Sequence, residues 1–189
     1  LKIVLKYKGM TIQNATLGNG CFWCTEAVFS KLKGVQKVTP GFSGGHIKNP
    51  AYREVITGRT GHAEVLHIEF DTEEVGYDKL LEVFFATHDP TTLNRQGNDI
   101  GTQYRSVIFH HDSFQKGVAE KIITRLTQEK VFQNPIVTEL TRFENIYPAE
   151  DYHHNYFELH QQEPYCSVVI QPKLQKFLKI YQKDLKTEF

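Results

Sequence analysis

The apolar positions of this chain switch repeatedly between a period of two and a helical period, which predicts strands and helices in alternation. Ala15 to Gly20 reads as the end of a strand and a glycine turn. After it Phe22, Thr25, Val28, Phe29 and Leu32 fall on one helical face, up to Gly34 as the residue beyond the helix end. Val35 to Phe42 and His62 to Asp71 read as strands, Tyr77 to His88 as a helix with Leu80, Leu81, Phe84 and Phe85 inward, and Tyr104 to His110 as a third strand. Ser113 is placed to cap a helix running to about Lys130, and Ile136 to Phe143 is a further strand. Pro148 suits the first turn of a short helical patch. Leu174, Phe177, Leu178, Tyr181 and Leu185 predict an amphipathic C-terminal helix docked on the body. Two polar stretches rich in Gly, Asn and Thr, residues 43–61 and 89–103, fit neither period. Long loops in a compact unit are disproportionately functional.

The pattern has no internal repeat and no low-complexity linker, and 189 residues with 40% hydrophobic content suffice for one core. One α/β unit spanning residues 1–189 is therefore expected. Its 22 basic and 22 acidic residues cancel, so nothing draws the chain toward nucleic acid or an anionic membrane. No apolar run approaches a membrane span, and the expected compartment is the cytoplasm, although a chain that begins at Leu1 leaves room for a removed leader. Three cysteines make no disulfide scaffold and suit transient disulfides instead.

Two of those cysteines bracket the only tryptophan in Gly20-Cys21-Phe22-Trp23-Cys24. Cys21 is expected at a helix N-terminus, where unpaired N–H groups and the positive end of the helix dipole favour a thiolate and depress its pKa. The Cys-x-x-Cys spacing puts Cys24 one helical turn away, within reach of a disulfide. It also fits two other classes of protein. A thioredoxin-like oxidoreductase would use the two thiols on disulfides, and a zinc-binding module would recruit Cys166 and a distant His. In the strand after His62, Glu64 shares its face with Leu66, Ile68 and Phe70. Its carboxyl is then either at the rim, or sheltered so that desolvation makes it a proton donor at neutral pH. Tyr52 and Tyr104 lie in or beside the long loops. A thiolate, an aromatic Phe22-Trp23 wall, a sheltered acid and phenolic donors together suit attack on a polarised sulfoxide whose oxygen must be protonated.

These residues sit in motifs that resemble the A-type methionine sulfoxide reductases over nearly the whole length. The motifs are Gly20-Cys21-Phe22-Trp23, Gly41-Phe42-Ser43-Gly44-Gly45, Asn49-Pro50-Ala51-Tyr52, Gly61-His62-Ala63-Glu64-Val65, His88-Asp89-Pro90-Thr91, residues 95–106 and residues 147–153. The resemblance implies an α+β two-layer core of the split βαβ, ferredoxin-like kind, with long functional loops and a C-terminal helix. It implies reduction of the S epimer of methionine sulfoxide, free or in oxidised proteins, by a monomer without metal or organic cofactor. Thioredoxin returns such an enzyme to its reduced state. By position, Cys21 is then the nucleophile, Glu64 the proton donor, and Tyr52 and Tyr104 the hydroxyls on the sulfoxide oxygen. Phe22 and Trp23 line the methyl pocket, Asp99 helps hold the substrate, and His153 supports the wall. Cys166 matches the family's Tyr-Cys position and is the expected first resolving thiol, with Cys24 as competitor or relay.

Overall fold

The computed structural model describes residues 11–187. In chain order it has β1 (Ile12–Asn19), α1 (Phe22–Phe29), β2 (Val35–Ser43), α2 (Tyr52–Val55), β3 (Ala63–Asp71), α3 (Tyr77–Ala86), β4 (Arg95–Gln96), β5 (Asp99–Ile100) and β6 (Ser106–His110). Then follow α4 (Ser113–Gln128), β7 (Glu139–Arg142), β8 (Tyr147–Pro148), α5 (Tyr156–Leu159) and α6 (Gln171–Ile180). Six strands form one mixed sheet in the order β7-β6-β1-β3-β2-β8, and β4 and β5 form a separate hairpin. The neighbours from β6 to β2 are antiparallel, while β7 runs parallel to β6.

Alternation along β3 sorts the two faces of this sheet. Leu66, Ile68 and Phe70 join α1, α3 and α6 in the main core, whereas Ala63 and Val65 pack with Val107 and Phe109 under Phe143 and Ile146. Helices thus cover one face and the return segment from β7 to β8 covers part of the other.

Several boundaries move from their expected places, each for a local reason. Helix α1 buries Phe22 and every residue from Cys24 to Phe29, leaving only Trp23 half-buried. The single apolar face read from the sequence is too narrow, because the Asp151–Leu159 segment and the C-terminal helix cover the other side. Asp112, not Ser113, caps α4, its carboxylate accepting from the Gln115 N–H at 2.8 Å. Pro148 pairs with Gly41 at the sheet edge, and a 3₁₀ turn, Asp151–His153, follows it. Tyr104 ends a 3₁₀ turn, Thr102–Tyr104, rather than starting a strand. The C-terminal helix enters through a π-helical turn, Cys166–Ile170, and stops at Ile180; Leu185 instead bridges to Leu32 beyond it. Neither long polar stretch is structureless, since one holds α2 and the other the β4–β5 hairpin.

Candidate active site

Gly20 delivers the chain from β1 into α1 with φ +97°, and a Cβ there would stand 2.7 Å from the side chain of Gln96. No L side chain is comfortable at that position. Cys21 therefore falls at the N-cap of α1, its carbonyl accepting the first intrahelical bond from Cys24 N–H at 3.1 Å. Cys21, Cys24 and Cys166 are all buried, all unpaired as disulfides, and all part of the main apolar cluster.

The ionisation of this pair departs from the sequence expectation. Burial pushes the Cys21 thiol well up, and its contact with Cys24 and the neighbouring Glu64 add to the rise. Cys24 moves the other way, to about 7, because the Cys21 thiol hydrogen-bonds to it and outweighs its burial, with help from Lys173. The helix N-terminus does not override desolvation at Cys21.

Glu64 is the sheltered acid rather than the rim residue, with 1% of its surface exposed. Burial pushes its pKa to about 8, although its Oε2 accepts the Phe22 N–H at 3.1 Å, a bond that favours the ionised form. Loss of hydration outweighs one hydrogen bond, so the carboxyl keeps its proton at neutral pH.

The tyrosines close in from the two loops. The first-turn donors of α2 are satisfied by carboxylates, Ala51 N–H by Glu54 at 2.8 Å and Tyr52 N–H by Glu150 at 3.0 Å. Tyr104 is tied to the same loop through its turn. Thr102 donates to the carbonyl of Gly58 at 3.2 Å and Gln103 to that of Ile56 at 3.3 Å. Burial raises the pKa of both phenols, with Glu64 as the next cause, and Cys21 and Asp99 act on both as well. Glu64, Cys21 and Asp99 thus act electrostatically on Tyr52 and Tyr104 alike, and both phenols stay protonated.

The aromatic wall is built on His153. Trp23 Nε1–H donates to His153 Nδ1 at 3.1 Å, which puts the proton of the neutral imidazole on Nε2. Burial lowers the His153 pKa and keeps the ring neutral. Its ring lies 5.1 Å from Phe22 and 4.4 Å from Tyr52, centroid to centroid. Tyr156 stacks on Trp23 at 3.7 Å with planes 6° apart.

The expected site residues come together, with Cys166 buried in the same apolar cluster as Cys21 and Cys24. Three participants are absent from the sequence reading. Glu150 lies in the 147–153 motif with no role assigned to it, and Tyr156 has no distinguishing signal. Tyr165 stood in the Tyr-Cys pair, where only its neighbour drew notice. Its hydroxyl donates to Asp99 Oδ2 at 2.7 Å and its ring meets Trp23 edge-on at 5.9 Å, while burial first and then the neighbouring Cys21 and Cys24 raise its pKa. Among the described residues no group of three or more His, Cys, Asp or Glu is placed to hold a metal ion. No helix among them is long and apolar enough to cross a membrane.

A buried thiol pair beside a protonated carboxyl defines a thiol-dependent oxidoreductase. The chain belongs to the peptide methionine sulfoxide reductase family, whose model matches residues 13–186. It is 54% identical over 172 residues to the peptide methionine sulfoxide reductase MsrA of Saccharolobus solfataricus, spanning 91% of this chain and 96% of that one. It is similar to the reduced form of Mxr1 from Saccharomyces cerevisiae, with a TM-score of 0.76 and 30% identity over 88% of this chain and 95% of that chain. Mxr1 has also been solved in complex with Trx2, a likeness of fold at TM-score 0.54 and 22% identity over 82% of this chain and 92% of that one.

Proposed function

We propose that this peptide methionine sulfoxide reductase acts on the S epimer, free or in proteins, with Cys21 as nucleophile and Glu64 as acid. The observation that carries the reading is the protonated Glu64 carboxyl set against the Cys21–Cys24 pair. The pair shares one proton, and its shift from Cys21 to Cys24 frees the attacking thiolate. Cys21 sulfur then attacks the sulfoxide sulfur while Glu64 protonates the oxygen, held by the Tyr52 and Tyr104 hydroxyls. The sulfoxide S–O bond breaks and the protonated oxygen passes to the Cys21 sulfur as the Cys21–methionine S–S bond breaks, so methionine leaves with that electron pair and Cys21 is oxidised to a sulfenic acid. Phe22 and Trp23 hold the methyl group, and Asp99 holds the substrate backbone.

The place of Cys24 in the first turn of α1, three residues after Cys21, supports a different order of resolution from the one expected. Cys24 condenses first with the Cys21 sulfenic acid, because it already touches Cys21, and Cys166 receives the disulfide from Cys24. Trx2 in complex with Mxr1 supports a thioredoxin as the reductant. We read β1-α1-β2-β3-α3-β6, with strand order β6-β1-β3-β2, as a split βαβ core of one domain.

Turnover of the two methionine sulfoxide epimers with thioredoxin as reductant tests this reading. Methionine should form from the S epimer alone; equal consumption of the R epimer would overturn the stereospecific site.

A further inference from the structure

Arg105 follows Tyr104 directly, and its side chain is only 11% exposed. Each nitrogen of its guanidinium serves a different segment. Nε–H donates to the Glu139 carboxylate of β7 at 3.0 Å, Nη1–H to the Thr102 carbonyl at 2.9 Å and Nη2–H to the Gly61 carbonyl at 3.2 Å. The fork therefore bridges the turn that ends at Tyr104 and the loop that enters β3 just before Glu64.

The Gly61 end of this bridge is firmly anchored. Beside it the buried His62 accepts the Gly45 N–H on Nδ1 at 3.0 Å and donates Nε2–H to the Ile47 carbonyl at 2.7 Å. Gly45 comes this close because it has no side chain; a Cβ there would collide with the His62 backbone nitrogen and the Thr60 carbonyl. The Tyr104 end has weaker support. Its turn packs against β3, and the bonds of Thr102 to Gly58 and Gln103 to Ile56 are neutral and long, at 3.2 and 3.3 Å. Arg105 adds a charge-assisted tie between the turn and the anchored loop.

We propose that Arg105 is a positioning residue that acts through Tyr104, fixing the turn so that the phenol meets the sulfoxide oxygen, a role that rests on the proposed function of Tyr104. Two carbonyls at a set spacing match the planar guanidinium fork, and the compact ammonium of a lysine does not reproduce it. Without the bridge the turn is free to shift, and a displaced hydroxyl stabilises the transition state less while Cys21 and Glu64 keep their places.

Arg105→Lys keeps the charge and removes the fork. Its effect is read as the single-turnover rate of methionine release at saturating methionine (S)-sulfoxide, in the full chain and again in a Tyr104→Phe background. Alone, Arg105→Lys should slow release about tenfold. Added to Tyr104→Phe it should cost less than about twofold, because the hydroxyl it positions is already gone. The same fractional loss in both backgrounds, or no loss in either, would overturn the proposal. Glu139→Gln leaves both carbonyl bonds in place and should keep most of the parental rate; a loss as large as that of Arg105→Lys would put the effect in the ion pair and overturn the bridge. Release at the parental rate by Tyr104→Phe alone would instead overturn the role of that hydroxyl, and the role of Arg105 with it.

Discussion

The backbone N–H of Phe22 donates to the Glu64 carboxyl across 3.1 Å, so the helix that starts after Cys21 and the strand that carries Glu64 are joined directly. That bond aims the carboxyl, and burial keeps it protonated. Glu64→Gln preserves the shape and an acceptor for the Phe22 N–H but has no proton to give. Methionine formation should fall by about a hundredfold while Cys21 still alkylates. The parent loses its acid as pH rises through about 8, and this limb of the rate profile should vanish in the variant. A variant with the parental profile would make Glu64 structural.

The same carboxyl should cost stability as pH rises. The unfolded chain ionises Glu64 near 4.5, whereas the folded protein keeps the proton to about 8, so the unfolded state binds fewer protons between these values. Stability contributed by the protonated acid is full below 4.5 and is lost progressively up to about 8, by roughly 1.4 kcal/mol for each pH unit at most. Denaturant unfolding of the parent and of Glu64→Gln at pH 4.5 and 8 should show the parent losing ground relative to the variant. A constant difference would contradict burial of an ionisable acid.

Much of this was legible in the chain, and the remainder is missing for physical reasons. Period two in β3 placed Glu64 among core residues, but only the covering helix decides between rim and interior. Helix-end position placed Cys21 correctly, yet dipole reasoning alone gave the wrong direction for its ionisation. Burial from every side is a tertiary property, and it dominates there. Tyr156, Glu150 and Tyr165 reach the site across 133, 98 and 66 residues of sequence separation from their partners Trp23, Tyr52 and Asp99, which no local period encodes.

Removal of His153 should strike binding harder than chemistry. His153→Ala leaves Trp23 Nε1–H without its acceptor and opens space between Phe22 and Tyr52. KM for methionine sulfoxide should rise by on the order of tenfold with a smaller change in kcat. An unaltered KM would show that the wall stands without its histidine.

Gly20→Ala tests the turn that sets Cys21. The new Cβ meets Gln96 at 2.7 Å in a backbone with φ +97°. Destabilisation of about 1–3 kcal/mol should accompany slower alkylation and slower turnover. Parental stability and rate would mean that the turn relaxes at no cost.

Resolution separates the thiols. Cys24→Ser should release one equivalent of methionine and then stall with thioredoxin, leaving a Cys21 sulfenic acid. Cys166→Ser should still form the Cys21–Cys24 link, seen by peptide mapping, but recycle slowly. The reverse pattern would restore Cys166 as first resolver.

The nucleophile itself is tested most directly by Cys21→Ser, since a buried serine hydroxyl at neutral pH does not replace a thiolate. Reduced Cys21→Ser, mixed with methionine (S)-sulfoxide in a single turnover, should release no methionine above background, whereas the parent releases a burst of one equivalent or more. A burst of methionine from the Ser variant would contradict attack by Cys21 and the mechanism built on it.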